Sequence, residues 1–336
     1  MDPAGFCAQT RVFIVAGKGG VGKTTVSAAL ARMASLAGLT TLIVEVEGKG
    51  GLTAAFGLTG ELGYQEVVLA GGDGDQGAEV RGRTLTADHA LLEYLEDHGM
   101  RRVSRRLVAS GAIDVVATAA PGIKDILVLG KVKQIERAAV TGSGDDGRWP
   151  DLIVLDAPAA GHAVRFLTSA HGLLDAVRVG PIRSQARDVI DLLQDPTRCQ
   201  VLLVTLPEET PVNEVVETAY ELEDRVGVSL AAVVVNALYP SLDGLDVDPK
   251  AAAEAAGVHL RPGEAEVLRA AARFRQARSA LHATQVGRLA QALPLPQLHL
   301  PFLFTTDVGR AEIDELAVAL AEEVGTLPAG AVAGQR

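Results

Sequence analysis

Apolar positions along the chain fall into short β-branched runs, separated by longer stretches in which apolar residues recur at helical spacing. The runs are Arg11–Ala16, Thr41–Val46, Asp114–Thr118, Asp151–Leu155, Gln200–Thr205 and Ala231–Val235. Each is short, continuous and apolar, the signature of a strand covered on both faces. Leu298–Phe304 reads as a further strand or an ordered loop. Helical periodicity marks Val26–Ala37, Ile123–Ala139 and Leu85–Gly111, the last being one or two helices with Leu91, Leu92, Leu95, Val103 and Leu107 on the apolar face. Strands alternating with helices require right-handed crossovers, hence an α/β fold with a mainly parallel sheet and helices on both faces. The expected organisation is a single domain over residues 1–336 with a helical insertion at about 84–140. Ala70–Arg83, Thr141–Arg148 and Tyr239–Pro249 read as surface loops, and residues 328–336 as a frayed tail.

Composition narrows the class. Hydrophobic residues make up 48% of the chain and aromatics only 4%, which suits a helix-covered sheet packed with Ala, Val and Leu. The formal net charge is −11, from 42 acids against 31 bases, so the overall field repels polyanions and no nucleic-acid partner is expected. The basic cluster Arg101–Arg106 is a solvated face or a contact surface for an anionic partner. Only Cys7 and Cys199 are present, in no C-x-x-C pair, so neither zinc nor an intrasubunit iron–sulfur cluster is expected. With no apolar run of about 18 residues and no basic-then-apolar leader, the expected location is cytoplasmic.

The chemistry concentrates at Gly17–Thr25, which reads Gly-Lys-Gly-Gly-Val-Gly-Lys-Thr-Thr and contains the phosphate-loop pattern G-x-x-x-x-G-K-[ST]. A strand-like run precedes it and a helical pattern follows. Gly17, Gly19, Gly20 and Gly22 let the backbone curl so that successive N–H groups, that of Val21 included, face phosphate oxygens, and the helix N-terminus adds its positive dipole end. Lys23 is expected on the β- and γ-phosphates and Thr24 on Mg²⁺, making ATP with Mg²⁺ the expected ligand pair. A carboxylate at the end of a neighbouring strand should hold the water shell of the metal, and Asp156 supplies it.

Lys18, at the second position of the loop, is superfluous for a simple cradle. The loop resembles the deviant Walker A loop, K-G-G-x-G-K-[ST], of ATPases that act as nucleotide-sandwich dimers, in which the extra lysine crosses to the nucleotide of the partner subunit. After Asp156, the segment Ala157-Pro-Ala-Ala-Gly161-His162-Ala-Val-Arg165-Phe166-Leu167 resembles the D-T-A-P-T-G-H-T-x-R-F/L-L switch II of the arsenite-pump and tail-anchored-protein-targeting ATPases. Three alanines stand where hydroxyl residues are usual. By this resemblance the Gly161 N–H senses the γ-phosphate, Thr25 lies near the α-phosphate, Asn236 at the end of Val233-Val-Val-Asn236 reads the adenine edge, and Pro301 belongs to the loop that covers the base. Pro121-Gly-Ile-Lys-Asp125 and Thr205-Leu-Pro-Glu208 resemble two further segments of that family.

The largest departure is at switch I, where Glu47 falls at the place of the family's water-positioning aspartate when Ala55-Phe56-Gly57 is matched to its A-F-G. A displacement of ~1 Å can cost ~100-fold in rate, so slow hydrolysis is expected. The zinc-bridging C-x-x-C, grouped arsenite-binding cysteines and a methionine-rich groove are all missing. The resemblance implies a Mg²⁺-dependent ATPase, switching as a homodimer or as a heterodimer with a related chain, on a protein or membrane client it does not name. The alternatives are a non-catalytic ATP-binding subunit of a heterodimer and a partition or division-site positioning ATPase.

Overall fold

Val12–Gly17 (β1) has a side chain buried on each face at every apolar position, and this places it in the middle of an eight-stranded sheet. The computed structural model describes residues 1–46, 50–72, 75–97, 99–110, 122–142, 149–158, 160–178 and 180–328. The other strands are β2 (Thr41–Val46), β3 (Val67–Ala70), β4 (Val80–Leu85), β5 (Leu152–Asp156), β6 (Cys199–Thr205), β7 (Ser229–Leu238) and β8 (Gln297–Pro301). Their order across the sheet is β3-β4-β2-β5-β1-β6-β7-β8, and only β3 runs antiparallel to its neighbour. This is the expected α/β architecture, with parallel strands joined by helices that cover both faces.

Alternation along the strands divides the interior in two. Phe13, Val15, Ile43, Val154, Leu202 and Val234 face α2 (Lys23–Leu36) and α12 (Arg310–Thr326), together with the short α1 (Pro3–Cys7). Ile14, Ala16, Val44, Leu155, Leu203 and Val235 face α7 (Ala160–Ala176), α8 (Pro181–Gln194) and α9 (Glu209–Val226). Each fully buried Val, Leu or Ile stabilises by about 1.5–3 kcal/mol, so the two layers anchor the strand ends that carry the site. Arg32 on α2 and Arg310 on α12 both pair with Asp75 and Asp314, tying these helices to the loop after β3.

The structure corrects the expectations at β4 and in the helices after it. Ala70–Arg83 is not one loop: β3 ends at Ala70 and β4 begins at Val80. Arginines and a glycine disguise β4. Arg81 pairs with Glu66 and Glu79, and Arg83 lies 4.5 Å over the Tyr64 ring, so both are buried with their charges engaged. A Cβ at Gly82 would press on the ends of Leu69 and Leu62, which would have to shift. Leu85 accordingly ends a strand, and the next helix starts at Ala87.

Among the described residues, the stretch expected to be a helical insertion carries α4 (Ala87–Asp97), α5 (Arg101–Ser110) and α6 (Ile123–Thr141), with Leu91 and Leu95 packed on Leu127. Val103 does not belong to its apolar face. It is 45% exposed because α5 turns Ser104 inward, where the hydroxyl donates to Glu96. Thr141 ends α6 instead of opening a loop. The expected strand Asp114–Thr118 and residues 143–148 lie outside the described residues, as does the tail after Pro328. Beyond β7, Tyr239–Asp248 is a loop as expected, followed by α10 (Pro249–Ala255) and α11 (Glu264–Ala292). Among the described residues, no helix is long and apolar enough to cross a membrane.

Both cysteines are buried and unpaired, and burial pushes the Cys7 thiol up to about 12 and raises Cys199 as well. Since the thiolate is the reactive form, neither cysteine should react with an aqueous thiol reagent while the chain is folded, and both should react in denaturant. Rapid titration of either under native conditions would show that its surroundings open readily.

Candidate functional site

Three parallel strands, β5, β1 and β6, end side by side, and the glycine-rich loop lies across the end of the middle one. Gly17 is the last residue of β1, paired with Val204. A Cβ at Gly17 would run into the Val204 carbonyl oxygen, so the loop can pass only as glycine. Gly20 and Gly22 take φ of 85° and 88°, in the left-handed region that glycine enters without strain. Gly22 is the N-cap of α2 and makes no side-chain cap, so the first-turn N–H groups of Lys23, Thr24 and Thr25 face the loop uncapped by any side chain.

Lys23 is 8% exposed and its Nζ donates to the Lys18 carbonyl oxygen at 3.1 Å, arching back over the loop. The Thr24 hydroxyl donates to Asp156 Oδ2 at 2.7 Å. Asp156 is fully buried at the end of β5, and the backbone beyond it is held by the Ala157 N–H donating to Val15. A hydroxyl facing a buried carboxylate, beside a basic loop, is a set of hard oxygen donors that fits Mg²⁺. Gly51, on the short α3 (Gly51–Ala55), lies beside the Thr24 methyl group, so the chain leaving β2 passes this point.

Asn236, near the end of β7, sits behind the loop. Its Nδ2 donates to the Val21 carbonyl oxygen at 2.9 Å and lies where a Cβ on Gly22 would be. The next residue, Ala237, has φ of 60° and is the one non-glycine residue with positive φ among the described residues. It coincides with a slip in the β7–β8 register between Val235 and Leu238. Such strain is held in place by surrounding structure and gathers at functional positions. Here it re-aims the chain between Asn236 and Tyr239. Pro301 pairs with Leu238 at the end of β8, and the chain continues through Phe302 and Phe304. Tyr239, Phe302 and Phe304 pack with centroids 4.9–5.6 Å apart, and Arg275 lies 4.6 Å over Tyr239 and 4.9 Å over Phe304.

The remaining expected site residues are placed as follows. Gly19 lies in the loop next to Lys18. Lys18 pairs with Glu214 on α9 at 2.7 Å. Gly161 is in the first turn of α7, where His162 and Arg165 are exposed. Glu47 lies outside the described residues. Sequence reasoning overlooked Glu45, which is 1% exposed, accepts from the Thr84 hydroxyl and is the register partner of Asp156. An acid in the middle of the apolar run Thr41–Val46 was the available signal. It also overlooked Glu214 and Arg275, whose contacts arise only from topology.

The sequence pattern of the anion-transporting ATPase family matches residues 10–178. The chain is similar to ATPase BagA of Mycobacterium tuberculosis, at 32% identity over 330 residues that cover 93% of each protein. It is also similar to ATPase ARSA1 of Chlamydomonas reinhardtii, at 31% identity over 61% of this chain and 32% of the relative. The arsenical pump-driving ATPase of Escherichia coli is 27% identical over 67% of this chain and 34% of that protein.

The site also makes stability depend on pH. His282, buried beneath Tyr239, accepts the Tyr239 N–H on Nδ1, and its Nε2 has no partner among the described residues. Burial and then the neighbouring Arg278 lower its pKa, Glu208 opposes them, and Arg275 adds a smaller lowering effect. The unfolded chain therefore binds this proton more readily than the folded one. Stability from this group is full above the ordinary imidazole value of 6.5 and declines as pH falls through it. Melting temperature should drop between about pH 7.5 and 5.5, and less steeply in His282→Gln. Equal slopes would mean that another group carries the dependence.

Proposed function

The chain belongs to the anion-transporting ATPase family, and from that premise we propose that it is a Mg²⁺-dependent, nucleotide-switched ATPase, dimeric with a second copy or a related chain, acting on a protein or membrane client. The observation that carries this reading is the Thr24–Asp156 pair beside a glycine-rich loop over which Lys23 arches. One sheet runs unbroken from β3 to β8, which supports a single domain bearing the helical insertion.

In this reading the amides from Gly17 to Thr25, those of Gly19, Gly20, Val21 and Gly22 among them, gather the phosphates, and Lys23 leaves the Lys18 carbonyl for the β- and γ-phosphate oxygens. Thr24 would ligate Mg²⁺ and Asp156 would hold its water shell. The metal supplies neutralisation of the charge that develops on the β- and γ-oxygens. Lys18 reaches the partner's nucleotide, where a fixed positive charge counts most in the transition state. Gly161 offers its N–H to the γ-phosphate and couples it to α7. Glu47 positions the attacking water.

Asn236 and the Pro301 loop bind the base. With Nδ2 donating to Val21, Oδ1 is in this reading the atom that meets the base. An acceptor there favours the exocyclic amine of adenine over the carbonyl of guanine.

Lys23→Ala should abolish turnover and weaken ATP binding by at least tenfold while the circular dichroism spectrum and melting temperature stay close to wild type, as read by calorimetry and phosphate release. Wild-type affinity and turnover in this variant would remove the phosphate loop from the mechanism.

Glu47→Gln should lower the single-turnover rate by about 10- to 100-fold with ATP affinity within about twofold, the pattern for a group that acts in the transition state. An unchanged rate would assign water placement to another residue.

A further inference from the structure

Lys18 and Glu214 form an ion pair within one chain, and the proposed role of Lys18 requires that pair to break. The Lys18 side chain is 50% exposed, as a group that must reach across an interface should be, while Glu214 is 25% exposed. Glu214 projects from a fixed helix. Val212 and Val215 on either side of it are buried, Asn213 accepts from Arg288, and Glu208 just before α9 pairs with Arg278. Glu214 is thus the stationary partner and Lys18, between Gly17 and Gly19, the one free to swing.

A second contact couples the pair to the nucleotide. Lys23 Nζ donates to the carbonyl oxygen of Lys18 itself. When Lys23 turns to phosphate, that carbonyl loses this donor and the Lys18 peptide is held by one bond fewer. Filling the cradle therefore loosens the residue that must cross to the partner.

We propose that Glu214 is a positioning residue that keeps Lys18 on its own chain until ATP is bound, and that dimer closure transfers Lys18 from this carboxylate to the partner's phosphates. The proposal rests on the reading of Lys18 given above. A single carboxylate competes poorly with the several negative charges of a triphosphate and better with a diphosphate, so the exchange favours closure on ATP over ADP. Half-exposed pairs are weak, which makes Glu214 a bias of about two- to fivefold on the closure equilibrium and not a lock.

The test is sedimentation velocity with Mg²⁺ and either a non-hydrolysable ATP analogue or ADP. Wild type is compared with Glu214→Gln, Glu214→Asp, Lys18→Ala and the Lys18→Ala/Glu214→Gln double variant. Glu214→Gln should dimerise at about two- to fivefold lower analogue concentration and show some dimer with ADP, whereas Glu214→Asp, which keeps the charge, should stay near wild type. The double variant should behave as Lys18→Ala, which does not close, because the effect runs through Lys18.

If Glu214→Gln closes at the wild-type threshold while Lys18→Ala fails to close, the role of Glu214 is refuted and that of Lys18 stands. If Glu214→Gln closes less readily, the carboxylate belongs to the closed interface, which also overturns the proposal. If Lys18→Ala closes like wild type, the cross-interface reading of Lys18 fails, and with it the premise.

Discussion

The site depends on how closely its backbone can approach the strands around it. At Gly17 the chain leaves β1 against the carbonyl of Val204, and at Gly22 it enters α2 against the amide of Asn236; a Cβ at either place would collide. These two contacts pin the ends of the loop to β6 and β7. Between them the backbone turns tightly, with Gly20 and Gly22 at positive φ. The arrangement of the other polar groups follows from it. Lys23 begins the helix and folds back over the loop, Thr24 meets Asp156 from the neighbouring strand, and Asn236 buttresses the turn at Val21. Preorganisation of this kind is set during folding and costs nothing further when ligand arrives.

Charge is handled by the same geometry. The net charge of −11 is unfavourable for a polyanionic ligand at long range, so attraction must come from local groups. Uncapped amides at the start of α2, Lys23 and Lys18 supply it. Both lysines are engaged within the chain, one with a carbonyl oxygen and the other with Glu214. Each of these contacts is weaker than a contact with phosphate, so the resting interactions hold the side chains near their targets without trapping them.

What could be read from the sequence followed the physics of burial. Strands β1, β2, β5, β6 and β7 are continuous apolar runs because helices cover both faces, and the phosphate-loop and switch II patterns are local in sequence. Strand β4 was illegible because Arg81, Gly82 and Arg83 interrupt it, and their burial becomes favourable only once Glu66, Glu79 and Tyr64 are brought beside them. Glu214 could not be found from its surroundings in sequence, since only the adjacency of β1 and β6 brings α9 to Lys18. Glu45 was overlooked beside Glu47 because the spacing that makes one acid face Asp156 is a property of the strand register.

Hydrogen–deuterium exchange of the chain with and without a non-hydrolysable ATP analogue and Mg²⁺ tests the central claim most directly, because it reads the loop itself. Amides from Gly17 to Thr25 should become strongly protected, with a smaller effect at Asn236, and the protection should weaken when Mg²⁺ is withheld. Protection elsewhere, with the loop unchanged, would contradict the account.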